Sequence, residues 1–353
     1  MKKLIYSLML ICFAITATDV VAQAPAQQKA KPKKFHGNPE YYLEVQGSHI
    51  FKLLDQALDE YPPVPGASTI RKSILFNLDA LLHDTKFDNS EYMREFCDSR
   101  VSKTVARFQT PVKKGMDVCK VYNEGFVART KSVSIAFDLV RGTYLASGAH
   151  KGSGYRIVAD DQMAAIIDKC DVLFLSHNHA DHVDRWVVDK FIAANKPVIA
   201  PTQILPDVKG VTHYRSETEV LSVEVPLKTG ITLAVKIFPG HQHPIMNNIY
   251  VVTTPEGYSV CHTGDQYSND DFKWIESARV NAPKIDAMIM NCWTPKPMQT
   301  VKGFNPRYVI TAHENEMGHS IDHREAFWLT FDKFKECKYP YVVMAWGEGF
   351  LVK

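Results

Sequence analysis

The chain has 353 residues, with 41 basic side chains against 39 acidic ones and a net charge of +2. A balance so near neutrality lacks the basic stripe that a dedicated nucleic-acid surface needs, so no nucleic-acid partner is expected. Histidine supplies only 14 of the 353 residues, so a dense cluster of it carries information.

Residues 1–22 read as a secretory signal peptide. Lys2 and Lys3 make a positive start, Leu4 to Ala17 is mostly apolar, and Val20-Val21-Ala22 offers small residues for cleavage after Ala22. That run is too short to span a bilayer comfortably, and no later stretch reaches the ~20 residues required. The mature chain is therefore expected to be exported, periplasmic or secreted, with no membrane span. Cys12 lies in this segment without the small residues of a lipobox before it. Cys97, Cys119, Cys170, Cys261, Cys292 and Cys337 remain, and an oxidising compartment permits them to pair. Cys97 with Cys119 is the favoured bridge, and no Cys-x-x-Cys suggests a thiolate zinc knuckle.

Residues 23–40 read as a flexible linker whose Lys29, Lys31, Lys33 and Lys34 form a solvated basic arm. Residues 41–112 read as a helical region. Phe51, Leu54, Ala57 and Leu58 recur at helical spacing, as do Ile70, Ile74, Leu75, Leu78, Leu81 and Leu82. Pro62, Pro63 and Pro65 separate those two helices. A third is expected from Glu91 to Val105, capped by Asn89 or Ser90. His49 and His83 stand singly in helical stretches and read as structural.

From Met116 the texture changes to strands. Val118 to Val127 is broken at Asn123-Glu124-Gly125, and Val133 to Val140 follows with Asp138 near its end. Gly142 to Tyr155 contains Gly148, Gly152 and Gly154 and reads as a mobile loop, with His150 a solvated loop histidine. A helix over Asp160–Lys169 leads to the apolar run Val172-Leu173-Phe174-Leu175. That run opens into Ser176-His177-Asn178-His179-Ala180-Asp181-His182-Val183-Asp184. A buried strand ending in imidazoles and a carboxylate presents them from a rigid platform at its carboxyl end, where open α/β folds place their sites. Neutral imidazole and carboxylate suit zinc, iron or manganese.

A helix over Val183–Ala194, a strand over Pro197–Ala200 and a short crossover from Gln203 to His213 come next, with His213 structural. Three further strands end in chemistry. Ile231–Phe238 runs into a loop, Pro239-Gly240-His241-Gln242-His243. Tyr258–His262 leads to Thr263-Gly264-Asp265, and Tyr308–Ala312 ends at His313, with His319 in the loop beyond. Tyr341–Ala345 and Gly347–Val352 close the chain as strands.

The spacing His177-x-His179-x-Asp181-His182 after an apolar strand resembles the signature of the metallo-β-lactamase superfamily, and the later motifs follow in the family's order. The resemblance covers about 113–353. It implies an α/β fold, the four-layer αβ/βα sandwich, preceded here by a helical extension. It also implies a cleft between the sheets that holds up to two metal ions, zinc foremost, with iron or manganese open. By the same resemblance His177 and His179 serve one ion, Asp181 and His182 the second, Asp265 bridges both, and His313 completes the second site. A third histidine for the first site is implied at His241 or His243, and both stay candidates. An early strand that ends in an aspartate suggests Asp138 as a hydrogen-bond partner of a ligand histidine.

The activity this implies is hydrolysis by water activated between the metals. Asp181 is essential to it, and His319 stands as proton donor or substrate contact. Asp181-His182-Val183-Asp184 looks like the branch that includes ascorbate-6-phosphate lactonase and N-acyl phosphatidylethanolamine phospholipase D. That branch favours a small-molecule phosphodiester, lactone or ester. The alternatives are a non-catalytic metal-binding module with the same fold, or a mononuclear-iron thioester or sulfur-transfer enzyme.

Overall fold

In a computed structural model of the chain, residues 34–83, 91–142 and 156–353 are described. The expected signal peptide, most of the linker, Asn89, Ser90 and the glycine-rich stretch with His150 lie outside them. The chain divides into Met1–Tyr42 and Leu43–Lys353. Of the first unit, the described residues contribute the start of helix α1 (Pro39–Glu60), which opens on a proline whose fixed φ suits a first helical turn. The helix thus begins inside the stretch read as linker.

The second unit carries α2 (Thr69–Leu82) and α3 (Glu91–Phe108), then two seven-stranded sheets. The first sheet is built from β1 (Met116–Tyr122), β2 (Gly125–Arg129), β3 (Ser134–Phe137), β4 (Val172–Phe174), β5 (Val198–Ala200), β6 (Val211–His213) and the final strand β14 (Gly349–Val352). Its order is β14-β1-β2-β3-β4-β5-β6, antiparallel as far as β3 and parallel from there, with α4 (Asp160–Asp168) and α5 (Arg185–Ala193) as crossovers. The second sheet repeats that plan. β7 (Leu221–Pro226), β8 (Thr232–Gln242), β9 (Ile245–Thr253) and β10 (Ser259–His262) are antiparallel. β11 (Ala287–Asn291), β12 (Tyr308–Ala312) and β13 (Tyr341–Val342) then run parallel.

The two sheets bury one core between them, in which Val118, Phe137 and Phe174 meet Tyr250, Ile289 and Ile310. A second core lies between the outer face of the first sheet and the helices, joining Phe51, Leu75 and Val101 to Leu173, Val187 and Phe191. A third packs α6 (Phe272–Ile275) and α7 (Pro297–Phe304) onto the outer face of the second sheet through Phe238, Ile275, Met288 and Phe304. Helix, sheet, sheet, helix is the four-layer sandwich that was expected. The helical extension is part of its first layer.

Burial of charge ties that layer to the closing strands. Arg71 of α2 donates to both carboxylate oxygens of Glu348 and to Val343 O, and Arg100 of α3 donates to Trp346 O at 2.8 Å. Both arginines and Glu348 are buried. α2 also touches α8 (Phe327–Lys333), where Asp79 accepts from the backbone N–H groups of Phe327 and Trp328.

Two expectations are corrected. Cys97 and Cys119 are both free, as are Cys170, Cys261, Cys292 and Cys337, so the favoured bridge is absent. Five of the six are buried, and Cys119 donates its thiol hydrogen to Asp117 at 3.3 Å; they pack as small apolar side chains. The Pro239–His243 stretch, read as a loop, is strand as far as Gln242. β8 stays paired with β9 through Pro239↔Asn248, His241↔Met246 and Gln242↔Ile245. Pro239 is tolerated because β7 reaches only Ile237 on the other side, which leaves position 239 on an edge.

Candidate metal centre

The carboxyl ends of β3, β4, β10 and β12 lie together at one end of the sandwich. The chain leaves three of these strands through left-handed backbone, at Asp138 (φ 41°), Gly264 (φ 51°) and His313 (φ 71°). For the two non-glycine residues that conformation costs of order 1–3 kcal/mol each, which is typical of functional turns. Gly264 has no alternative: a Cβ there would lie 2.3 Å from Asn247 Oδ1 and 2.4 Å from Ser176 Cβ.

The side chains converge in two groups. His177, His179 and Asp265 form one, and Asp181, His182 and His313 the other, with ligand atoms in each within 4.8 Å of one another. His177 Nε2 lies 3.1 Å from His179 Nδ1. Asp265 stands between the groups, with Oδ2 3.6 Å from the Nε2 of both His177 and His313 and Oδ1 3.4 Å from His182 Nε2. His313 Nε2 is 3.1 Å and His182 Nε2 3.5 Å from Asp181 Oδ2.

These contacts fit ions rather than ordinary hydrogen bonds. His177 Nδ1 faces the hydroxyl of Ser176 at 3.0 Å and His182 Nδ1 donates to Asp138 at 2.8 Å, so each ring turns its Nε2 into the gap. His182 Nε2 is buried with no hydrogen-bond partner. Two imidazole nitrogens at 3.1 Å repel unless a proton or cation lies between them. Donors about 2.0–2.1 Å from one tetrahedral ion are about 3.3 Å apart, close to the separations found. A further grouping of Asp138 with His177 and His182 is geometrically available. However, Asp138 already accepts from Ser176 N, Ser176 Oγ and His182 Nδ1, so it orients the ring instead of facing the gap.

The electrostatics agree. Burial pushes His177 down to about 3, with the neighbouring His182 adding to the effect. Burial also opposes the charged form of His182 and His313. For His182 the carboxylates of Asp265, Asp181 and Asp138 outweigh it and hold the imidazole well above its ordinary value; for His313 those of Asp265 and Asp181 raise it to about 9. Asp181 and Asp265 stay far below the usual carboxylate range, because the facing imidazoles outweigh the cost of burial. Both imidazoles are therefore biased towards their charged form by the carboxylates that face them. Since His313 is raised to about 9, it is protonated at neutral pH, and a metal must displace that proton. Zinc affinity is expected to climb between about pH 6 and 8, by up to about tenfold per unit for each proton released. Chelator competition across that range measures it, and a flat profile would contradict the assignment.

The third-histidine candidates behave differently. Strand alternation turns His241 away: its Nδ1 donates to Asp271 at 2.9 Å, and its Nε2 accepts from Arg215 at 2.8 Å. Both nitrogens are engaged, so the structure does not bring His241 to either group. His243 is exposed in the turn after β8 and lines the cavity without joining a group. It is Gln242, one position on from His241, that reaches the centre, donating to Asp265 Oδ2 at 3.1 Å. Asn291 at the end of β11 donates to Asp265 Oδ1, and Asn123 Nδ2 donates to Asp181 O at 3.3 Å. Sequence reasoning missed all three. Asn291 alone carried a signal, as the polar residue that ends an apolar run.

His319 Nε2 lies 3.8 Å from Asp181 Oδ2, and its ring stacks near His313 at 5.8 Å. It stands at the junction of two cavities. One, of about 480 Å³, is lined by His179, Asp181, Asp265 and His313 together with Tyr267 and Trp293. The other, of about 360 Å³, extends past Asp181 and His319 towards Arg156 and Arg185.

No protein-family model matches the chain, and no curated protein does. Solved structures resemble it distantly. A metallo hydrolase from the archaeon Ignicoccus hospitalis is 14% identical, with a TM-score of 0.49 over 68% of this chain and 99% of that one. CmlA, a diiron β-hydroxylase from Streptomyces venezuelae, is 15% identical, with a TM-score of 0.47 over 69% and 55%. An isothiocyanate hydrolase from Delia radicum gut bacteria is 16% identical, with a TM-score of 0.47 over 67% and 100%. Likenesses this distant assign no residue a role, so the roles here rest on the geometry of the centre.

Proposed function

We propose that the protein is an exported, metal-dependent hydrolase of a small-molecule ester, lactone or phosphodiester. The observation that carries this reading is the pair of imidazole–carboxylate groups with Asp265 between them, at the floor of a cavity. His177, His179 and Asp265 would hold one ion, and Asp181, His182 and His313 the other. Bound there, zinc or a similar ion supplies Lewis acidity and lowers the pKa of coordinated water towards neutrality.

The chain's own side chains would do the rest. Gln242 and Asn291 fix the Asp265 carboxylate from opposite oxygens. Asp138 holds the ring of His182 in the tautomer that leaves Nε2 unprotonated once a metal binds. His319 has a side chain 38% exposed, and burial pulls its imidazole below the ordinary value. It would therefore accept a proton at Nε2 from the attacking water and then return it, as imidazolium, to a departing oxygen. Export is proposed on the charged and apolar pattern of residues 2–22.

The test is a panel of bis-aryl phosphates, lactones and cephalosporins with zinc titrated in. Turnover of a lactone, ester or phosphodiester that rises with zinc and is lost on chelation is the expected result. Tight binding of two ions with no release from any substrate would favour the non-catalytic module.

A further inference from the structure

We infer that the larger cavity selects substrates whose group beside the scissile bond is flat and apolar, an aromatic ring above all, rather than a second anion. This rests on the metal-centre reading above and narrows it to a substrate class.

Tyr267 and Trp293 stand on the walls of that 480 Å³ cavity, with Ile245 beside them. Tyr267 is 52% exposed, although a large aromatic ring ordinarily seeks cover. Its backbone is not loose: Tyr267 N donates to His241 O at 2.9 Å, and it follows Asp265 by only two residues. The exposed ring is thus presented from a pinned segment next to the bridging carboxylate. Trp293 is fixed as firmly. Its backbone N–H donates to Asn291 Oδ1, its ring stands edge-on to His313 at 6.4 Å, and it stacks against His323 at 6.1 Å. One aromatic residue therefore adjoins each proposed ligand group.

The charges point the same way. Among the described residues, none lining this cavity is a lysine or arginine, and the only acidic ones are Asp181 and Asp265. Two cations behind its walls are occupied. Lys333, 5.5 Å over the Trp293 ring, donates to Glu325 and to Cys292 O, and Arg215 pairs with Glu217 and His241. An anion remote from the metals would meet no lysine or arginine on this side, only the imidazoles of His243, His319 and His323, whereas an aryl group would cover Tyr267 and Ile245.

Binding of two metal-chelating probes to the zinc-loaded full chain, read by calorimetry, tests this without requiring turnover. Benzohydroxamate is expected to bind about tenfold tighter than acetohydroxamate, since only the former has a ring for the wall. Tyr267→Ala should cost benzohydroxamate about fivefold and acetohydroxamate less than about twofold, and Tyr267→Phe should keep the wild-type preference. Equal affinities for both probes, or an equal loss of both in Tyr267→Ala, would overturn the aromatic wall and leave the hydrolase reading intact. If neither probe binds the zinc-loaded chain, the metal centre itself fails and the inference falls with it.

Discussion

Asp265→Asn should strip metal from the centre and lower hydrolysis by about a thousandfold, because residues that act as a unit are lost as a unit. The substitution keeps the size of the side chain and removes its charge. Three imidazole nitrogens, on His177, His182 and His313, lie 3.4–3.6 Å from the two Asp265 oxygens. An amide would turn an NH2 donor towards either Gln242 and His177 or Asn291 and His182, opposing a donor it used to satisfy and blocking a lone pair meant for an ion. Elemental analysis after gel filtration should show fewer ions per chain than in the wild type. Wild-type metal content with full turnover would refute the bridging role. The fold itself should survive, since the core between the sheets does not involve this position.

The largest effect on stability is expected far from the centre, at Arg71→Met. Removing one partner of a buried ion pair leaves the other charged and unpaired, which costs about 3–5 kcal/mol. Glu348 would keep only the backbone N–H of Ala345 and a 3.9 Å approach from Arg100. Its loss would also untie α2 from the closing strands, where Arg71 additionally donates to Val343 O. Replacing both partners by apolar residues of similar volume should recover most of the loss. Denaturant unfolding of the single and double variants measures the coupling, and a single variant within about 1 kcal/mol of the wild type would contradict it.

The sandwich and most of the centre were legible because their signals are dense and local. Val172–Leu175 ends in an imidazole cluster, and Gly264-Asp265 and Ala312-His313 repeat the pattern of an apolar strand that stops at a ligand-type residue. What stayed hidden depends on contacts between distant segments. Pro239-Gly240 reads as a breaker, yet pairing with β9 carries β8 through it and turns His241 towards Asp271 and Gln242 towards Asp265. Gln242, Asn291 and Asn123 are amides of a kind found on any surface; only convergence gives them their role. The even cysteine count suggested a bridge that the fold does not make, because Cys97 and Cys119 belong to a core that uses them as apolar filler.

The most direct measurement is anomalous diffraction at the zinc absorption edge from crystals grown with zinc. Two peaks are expected, one among His177, His179 and Asp265 and one among Asp181, His182 and His313, with Asp265 touching both. Zinc bound only elsewhere on the chain, with these six side chains left facing an ion-free gap, would contradict the centre and every function built on it.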